Sequence, residues 1–261
     1  MRKQLLDVIF MSEKRKNALI LLKDGPKETQ VILNHLKTTR AALLPQMKVL
    51  EENHLVIHYD DTYGLTKIGE LIVNEIEPLL ATIKVLDKNI EYWGTHKLDF
   101  IPPHLLERIY ELGECEIITP SITNVFEINR NFHETSKKST SLFHITTFLY
   151  PNYFMLFSEL ISNNVNMHLI VSKDLLEKIR AGEDNDFKQL AQSGLFHLFV
   201  YPDKMDFLTF AYNDSNLLLS ALKDNMEFDN KHILSCNPST IDWGKDLFEH
   251  YLKDSTPVSE I

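Results

Sequence analysis

Cysteine is nearly absent from this chain of 261 residues, which carries only Cys115 and Cys236. Two distant cysteines fit neither a disulfide framework nor a CxxC site and read as small apolar residues. Glycine and proline are also sparse, at eight and ten, which excludes a collagen-like or low-complexity chain. Long apolar runs are missing, so no segment is suited to span a bilayer. Residues 1–10 hold a short apolar patch interrupted by Asp7, with Arg15 and Lys16 soon after and no small-residue cleavage pattern; a cytoplasmic protein without membrane contact is expected. The usual catalytic signatures are lacking too: no Gly-x-Ser-x-Gly, P-loop, dinucleotide fingerprint or His-Glu-x-x-His. His133, His144, His168 and His197 show no ligand spacing and read as satisfied core or surface histidines. The expectation is a protein that is not an enzyme and has no metal and no cofactor.

Twenty-seven basic and 37 acidic side chains give a net charge of −10, which by itself argues against nucleic acid. The charge is unevenly spread. Residues 1–70 hold eleven basic and nine acidic groups, a net of +2, leaving −12 for the remainder. The two parts have different electrostatic tasks.

Within the first seventy residues, Val8, Met11, Ala18, Ile20, Leu21 and Leu22 recur at helical spacing until Gly25-Pro26. A second helix is expected over Lys27–Leu36, with Val31, Ile32 and Leu36 inward. Thr38 is placed to cap a third helix reaching about Asn53, with Leu43, Leu44, Met47 and Leu50 as its buried stripe; Pro45 lies inside it and is expected to cost a backbone hydrogen bond. Leu55–Tyr59 and Tyr63–Leu65 read as a hairpin around Asp60-Asp61-Thr62, and Thr66 as the cap of a further helix. Three helices, a hairpin and a helix make a winged helix-turn-helix, whose third helix enters the major groove of double-stranded DNA. Arg40 and Gln46 have the donor patterns that read base edges. Thr38 and Thr39 flank them. Lys37 and Lys48 are suited to phosphate. The acidic wing tip leaves His58 and Tyr59 as the wing's contacts. The segments Leu43-Leu-Pro-Gln-Met-Lys-Val-Leu-Glu-Glu-Asn-His-Leu-Val56 and Tyr63-Gly-Leu-Thr-Lys-Ile-Gly-Glu70 resemble the winged-helix signature of ArsR- and MarR-type regulators.

From Ile68 a near-heptad row follows: Ile72, Ile76, Leu79, Ile83, Leu86 and Ile90. It suits either self-association into a homodimer or packing on the next domain, with Pro78 expected to bend or break the helix. The expected divisions are 1–70 for the DNA-binding domain, 71–95 for a linker and dimerisation helix, and 96–261 for a regulatory domain. In the last, strands and helices alternate: strands at Glu116–Thr119, Ser141–Phe148, Met167–Val171, Leu195–Tyr201, Phe207–Ala211 and Asn216–Ala221. Helices lie at Ile122–Lys138 and Asn152–Asn163, from Lys173, near Phe187–Gln192, and from an Asn237-Pro238 cap through Lys253. This pattern predicts a two-domain α/β protein with a C-terminal α/β sandwich and a mixed sheet.

Phe148-Leu-Tyr-Pro151, Met167-His-Leu-Ile-Val171 and above all Asp242-Trp-Gly-Lys-Asp-Leu-Phe-Glu-His-Tyr251, with Thr119-Pro120 and Asn225-Met-Glu-Phe-Asp229, resemble the Fil-type methanogen transcriptional regulators over nearly the whole chain. Where that family usually shows Asp-Gly-x-Tyr-Asp, this chain reads Asp224-Asn-Met-Glu-Phe-Asp229. The resemblance implies a winged helix followed by a regulatory domain similar to the TrmB sensor domain and the phospholipase-D-like fold. A phospholipase-D-type hydrolase needs His-x-Lys with a downstream Asp. The one such tripeptide is His35-Leu-Lys37, in the wrong domain and without that Asp. The expected function is therefore sequence-specific transcriptional regulation, with a small-molecule or protein effector received by Thr119, Ser121, Thr147, Tyr150, Tyr153 and Phe154. Two other readings stay open: a winged-helix protein-interaction module that does not bind DNA, and a degenerate phospholipase-D-like phosphodiesterase.

Overall fold

A computed structural model describes residues 4–121, 128–181 and 186–259. They form two compact units, with the division between Ala81 and Thr82.

In the first unit the periodic stretch Val8–Leu22 is two helices, not one: α1 (Leu5–Phe10) and α2 (Glu13–Leu21). Ser12 separates them, because its side chain accepts a hydrogen bond from the Arg15 amide and so begins a new helix. Lys27-Glu28, expected in the second helix, is instead a short strand, β1, antiparallel to the wing. Helix α3 (Thr29–His35) follows; Thr29, Ile32 and Leu33 are its buried residues and Val31 points outward. Helix α4 (Arg40–Glu52) starts from Thr39 rather than Thr38 and runs through Pro45. Leu43, Met47 and Leu50 bury its inner face, while Leu44 is 40 % exposed, a correction to the expected stripe. Pro45 removes one intrahelical bond, and because it lies on the exposed side, water can reach the carbonyl left without its donor.

The wing is β2 (Val56–Tyr59) and β3 (Thr62–Leu65), closed by Asp60-Asp61 with Asp60 in the left-handed region at φ 52°. Helix α5 (Lys67–Asp87) is continuous through Pro78. It packs so closely on the entry to β2 that a Cβ at Gly69 would collide with the Leu55 carbonyl. That is the physical reason for the glycine in the Gly-Leu-Thr-x-x-Gly stretch.

The second unit opens with the short helices α6 (Ile90–Trp93) and α7 (Pro103–Leu106) and the strand β4 (Glu116–Ile118). Then come α8 (Arg130–Ser136), β5 (Ser141–Thr146), α9 (Tyr153–Ser162), β6 (Asn166–Ser172), α10 (Lys173–Ala181) and α11 (Asp186–Ala191). The chain continues with β7 (Phe196–Tyr201), β8 (Phe207–Tyr212), β9 (Leu217–Ala221), β10 (His232–Ser235), α12 (Pro238–Asp254) and β11 (Thr256–Pro257). The helix expected over Ile122–Lys138 is described only as α8; residues 122–127 lie outside the described set.

The described strands of this unit form one sheet in the order β11-β7-β6-β5-β8-β9-β10-β4. The β5–β6 and β6–β7 pairs are parallel and the others antiparallel, so the sheet is mixed. Both faces are covered, and the period-two alternation of β6 shows how. Met167, Leu169 and Val171 join the core under α9–α11, whereas Ile170 joins the core under α12. The Asp242–Tyr251 signature is a packing device on that second face. Trp243 is fully buried and its indole N–H donates to the Leu105 carbonyl at 3.0 Å; the Tyr251 hydroxyl donates to the Phe100 carbonyl at 2.8 Å. A Cβ at Gly244 would stand 3.1 Å from the Leu217 side chain and 3.3 Å from Tyr212, so the glycine lets α12 lie directly on β8 and β9.

Candidate nucleic-acid interface and interior cavity

In the winged-helix unit the outward side of α4 and the wing tip are tied together. The guanidinium of Arg40 meets the Asp61 carboxylate at 3.0 Å, and both groups are more than half exposed. The tip itself is anchored from behind: the Thr29 amide and hydroxyl both donate to the Asp61 carbonyl, at 2.8 and 3.0 Å. Lys37 ends α3 with φ 46°, and the Thr38 amide reaches back to the Leu33 carbonyl. This is the left-handed helix stop that normally favours glycine, and it sets the turn between α3 and α4. Thr39 is exposed at the start of α4 and its side chain makes no capping bond. Lys48 is exposed and stands 3.9 Å from Glu52. His58 stacks on Tyr63 at 4.2 Å, while Tyr59 is 65 % exposed at the tip.

Gln46 is the exception among the expected readers. Its side-chain oxygen accepts from Arg15 at 2.8 Å, and the same guanidinium donates to the Val8 and Asp7 carbonyls. Gln46 therefore faces α1 and α2 and braces α4 from beneath. Arg15 was not singled out from the sequence, because a partly buried arginine and a surface one look alike there. In the expected dimer row, Ile76 is buried with the winged-helix core and Ile72 packs against it, while Leu86 packs against the core of the second unit. Leu79, Ile83 and Ile90 face outward, as do Ile68 and Leu71.

In the second unit, a cavity of about 90 Å³ lies between β5 and β8 on one side and α8 and α9 on the other. Tyr150 and Tyr153 line it, as do His144, Thr146 and Thr209. Of the other expected effector residues, Thr119 and Ser121 are exposed beyond β4, Phe154 packs on the neighbouring core, and Thr147 donates to the Leu208 carbonyl at 3.1 Å. The signal for His144 was present but unread: Leu142, His144 and Thr146 share one face of β5, so polar groups occupy an inward register. Thr209 lies on the same face because it pairs with Thr146 and alternates in step with Ala211. The β8–β9 register shifts between Phe207 and Thr209, which puts Phe207 out of step and into the α12 core.

His144 Nε2 is 2.8 Å from the Thr209 hydroxyl, and burial depresses the imidazole pKa to about 4. His133 is committed to the Glu159 carboxylate at 2.8 Å. His168 and His197 stack in a separate ladder with Phe143. Asp229, in the loop that departs from the usual family pattern, is buried 3.4 Å from His96. Among the described residues no group of three His, Cys, Asp or Glu side chains is placed to hold a metal ion. None of their helices is long and apolar enough to cross a membrane.

Fold and sites together define a winged-helix protein joined to an α/β domain with an interior cavity. Comparison with known proteins makes this specific. The N-terminal domain pattern of the methanogenesis regulatory protein FilR1 matches residues 3–84, and the middle-domain pattern of the same protein matches residues 125–254. The chain belongs to this family of methanogenesis regulatory proteins. FilR1 of Methanothrix harundinacea (strain 6Ac) is 22 % identical over 264 residues, covering 97 % of this chain and 58 % of the relative, so the chain spans a little over half of that protein. Among solved structures, TrmBL2, an archaeal chromatin protein described with a novel mode of DNA binding, is 14 % identical with a TM-score of 0.43 over 97 % of each chain. The phospholipase D family member Nuc from Salmonella typhimurium is 11 % identical with a TM-score of 0.38, over 56 % of this chain and all of that one. Likeness at this level carries no functional weight.

Proposed function

We propose that this protein is a sequence-specific DNA-binding transcriptional regulator, acting as a homodimer, whose C-terminal domain receives an effector. The observation that carries the reading is the exposed side of α4. Thr39, Arg40 and Lys48 stand free of the core on the helix that a winged-helix fold presents to the major groove. Membership of a regulatory-protein family supports regulation in place of catalysis. The outward apolar side chains Ile68, Leu71, Leu79 and Ile83 on α5 supply the dimer surface, since readers of paired half-sites are commonly two-fold assemblies. Lys37 and Lys48 neutralise phosphates, Arg40 and Thr39 face base edges or the adjoining backbone, and Tyr59 meets the flanking strand.

A footprint and gel shift on the protein's own promoter test this. Retardation at low salt, falling steeply as salt is raised, is the expected result. Arg40→Ala is expected to weaken specific binding by about tenfold, within the worth of one base-reading pair. Failure to retard any genomic fragment at low salt overturns the reading, because even non-specific phosphate binding would show there.

A further inference from the structure

We infer that the cavity between β5, β8, α8 and α9 receives a small neutral molecule, an aromatic or short apolar body bearing a hydroxyl group, and rejects carboxylates and phosphate esters. The inference rests on the regulator reading only in treating the occupant as the effector.

Charge comes first. Among the described residues, no lysine, arginine, aspartate or glutamate lines the cavity. The one lining group besides His144 able to become a cation, His133, is spent on Glu159. His144 is held neutral at cellular pH by its burial. An anion placed here would lose its water and gain no countercharge. A cation would fare no better.

Hydrogen-bonding capacity comes second. Most polar atoms at the wall are already used. The Thr146 hydroxyl donates to the Phe148 carbonyl at 2.7 Å, and the Ser136 hydroxyl donates to the Phe132 carbonyl at 2.8 Å. Asn129 accepts from the Phe132 amide and pairs with His232. The Thr209 hydroxyl points at the Ile145 carbonyl, 3.4 Å away. With the hydroxyl proton on that carbonyl, the Thr209 oxygen accepts from His144 Nε2 at 2.8 Å and Nδ1 is an acceptor, and this is the tautomer we propose for the site. Neither Nδ1 of His144 nor the hydroxyl of Tyr150 has a hydrogen-bond partner among the described residues. Burial raises the Tyr150 pKa, so that hydroxyl stays a donor. One donor and one acceptor, both neutral, match a hydroxyl group, which accepts and donates at once.

Size and shape come third. An apolar cavity of ~150 Å³ admits a whole benzene, and this one is about 90 Å³. Its occupant is therefore a short chain, or a single ring that enters edge-first and leaves part of itself at the mouth. Phe148 meets Tyr150 edge-on, and Tyr153 meets Phe157 edge-on, at the wall of this space, a geometry that suits a further ring.

The test uses the full chain and three probes that share a ring and differ in charge: phenol, benzoate and phenyl phosphate. Titration calorimetry and thermal unfolding are expected to show saturable binding of phenol with a raised Tm, and neither effect with the two anions at equal concentration. Tyr150→Phe keeps the ring and deletes the donor; it is expected to weaken phenol about five- to tenfold, the loss of one hydrogen bond, and to leave toluene binding unchanged. Benzoate or phenyl phosphate binding as tightly as phenol overturns the inference. So does phenol that never saturates, or a Tyr150→Phe protein that binds it unchanged. DNA retardation measured without any probe reports separately on the regulator reading, so either idea can fail alone.

Discussion

In the winged-helix unit the side chains with unused hydrogen-bonding capacity are outside: Lys37, Thr39 and Tyr59 stand on the surface. In the α/β unit the comparable groups, His144 and Tyr150, line an interior space. The contrast extends to the charges. The wing tip carries an exposed ion pair, Arg40 with Asp61, whereas the cavity wall, among the described residues, carries no acidic residue, lysine or arginine. A surface that meets a polyanion gains from charges that water keeps mobile and cheap to rearrange. A cavity gains from groups whose orientation is fixed and whose charge is zero. The two units also spend tryptophan and glycine differently. Trp243 and Gly244 hold α12 to the sheet of the second unit, and Gly69 seats α5 on the first.

The largest effect that breaks this comparison is in the second unit. Trp243→Ala removes a fully buried indole and leaves the Leu105 carbonyl without its donor. A loss of about 4 kcal/mol is expected, read as a lower urea midpoint. A loss under about 1 kcal/mol would mean that the Asp242–Tyr251 signature serves something other than packing.

Next in size is the acid sensitivity set by His144. Its folded pKa of about 4 lies below the ordinary histidine value near 6.5. As pH falls below ~6.5 the unfolded chain takes up a proton that the native imidazole refuses, so stability is full above that pH and is lost on the way down to about 4. The loss attributable to this one group is roughly 3 kcal/mol. Burial lowers His168, His232 and His250 in the same direction, so the test is a difference. His144→Gln, compared with the parent at pH 7 and pH 5 by urea unfolding, should show a distinctly shallower acid decline. Parallel declines would place His144 in wet surroundings and weaken the neutral-cavity argument with it.

How much of this the sequence carried differs between the units for the same reason. Strong local periodicity was readable: β6 as an apolar run, α12 from its Asn237-Pro238 cap, α4 from Leu43, Met47 and Leu50. Breaks decided by a single hydrogen bond were not, as at Ser12, nor was β1, whose two residues are strand only because Tyr63 and Thr62 pair with them. β10 is a strand of four residues between β9 and β4, the latter distant in sequence, with too little pattern of its own. The exposed candidates of the winged helix were legible, since a helix has one outward face. The cavity was only half legible. Tyr150 and Tyr153 were in view, but Thr209 and His144 become meaningful only once β8 is known to lie beside β5.

Gln46 gives a smaller and sharper test within the first unit. Because it braces α4 through Arg15, Gln46→Ala should lower stability by about 1 kcal/mol and leave DNA affinity within about twofold, as befits a change of that size away from the interface. Arg40→Ala should do the reverse. Equal effects of both on DNA binding would return Gln46 to the reading surface.

The smallest effect sits at the wing tip, where a carboxylate faces the direction from which phosphate would come. Asp61→Asn removes one negative charge and releases Arg40 from its ion pair. Both groups are exposed, so fold stability should change by less than about 0.5 kcal/mol. The backbone anchor from Thr29 to the Asp61 carbonyl does not involve the side chain and should hold the tip in place. What changes is the field seen by DNA. A freed Arg40 adds about one neutralised phosphate, so affinity should rise several-fold at low salt, and the slope of log affinity against log salt should steepen by ~0.9. Near the highest salt that still permits binding, parent and variant should converge. A variant that binds no better at low salt would mean that the Arg40–Asp61 pair stays clear of the duplex, and would move the contact surface along α4 toward Lys48.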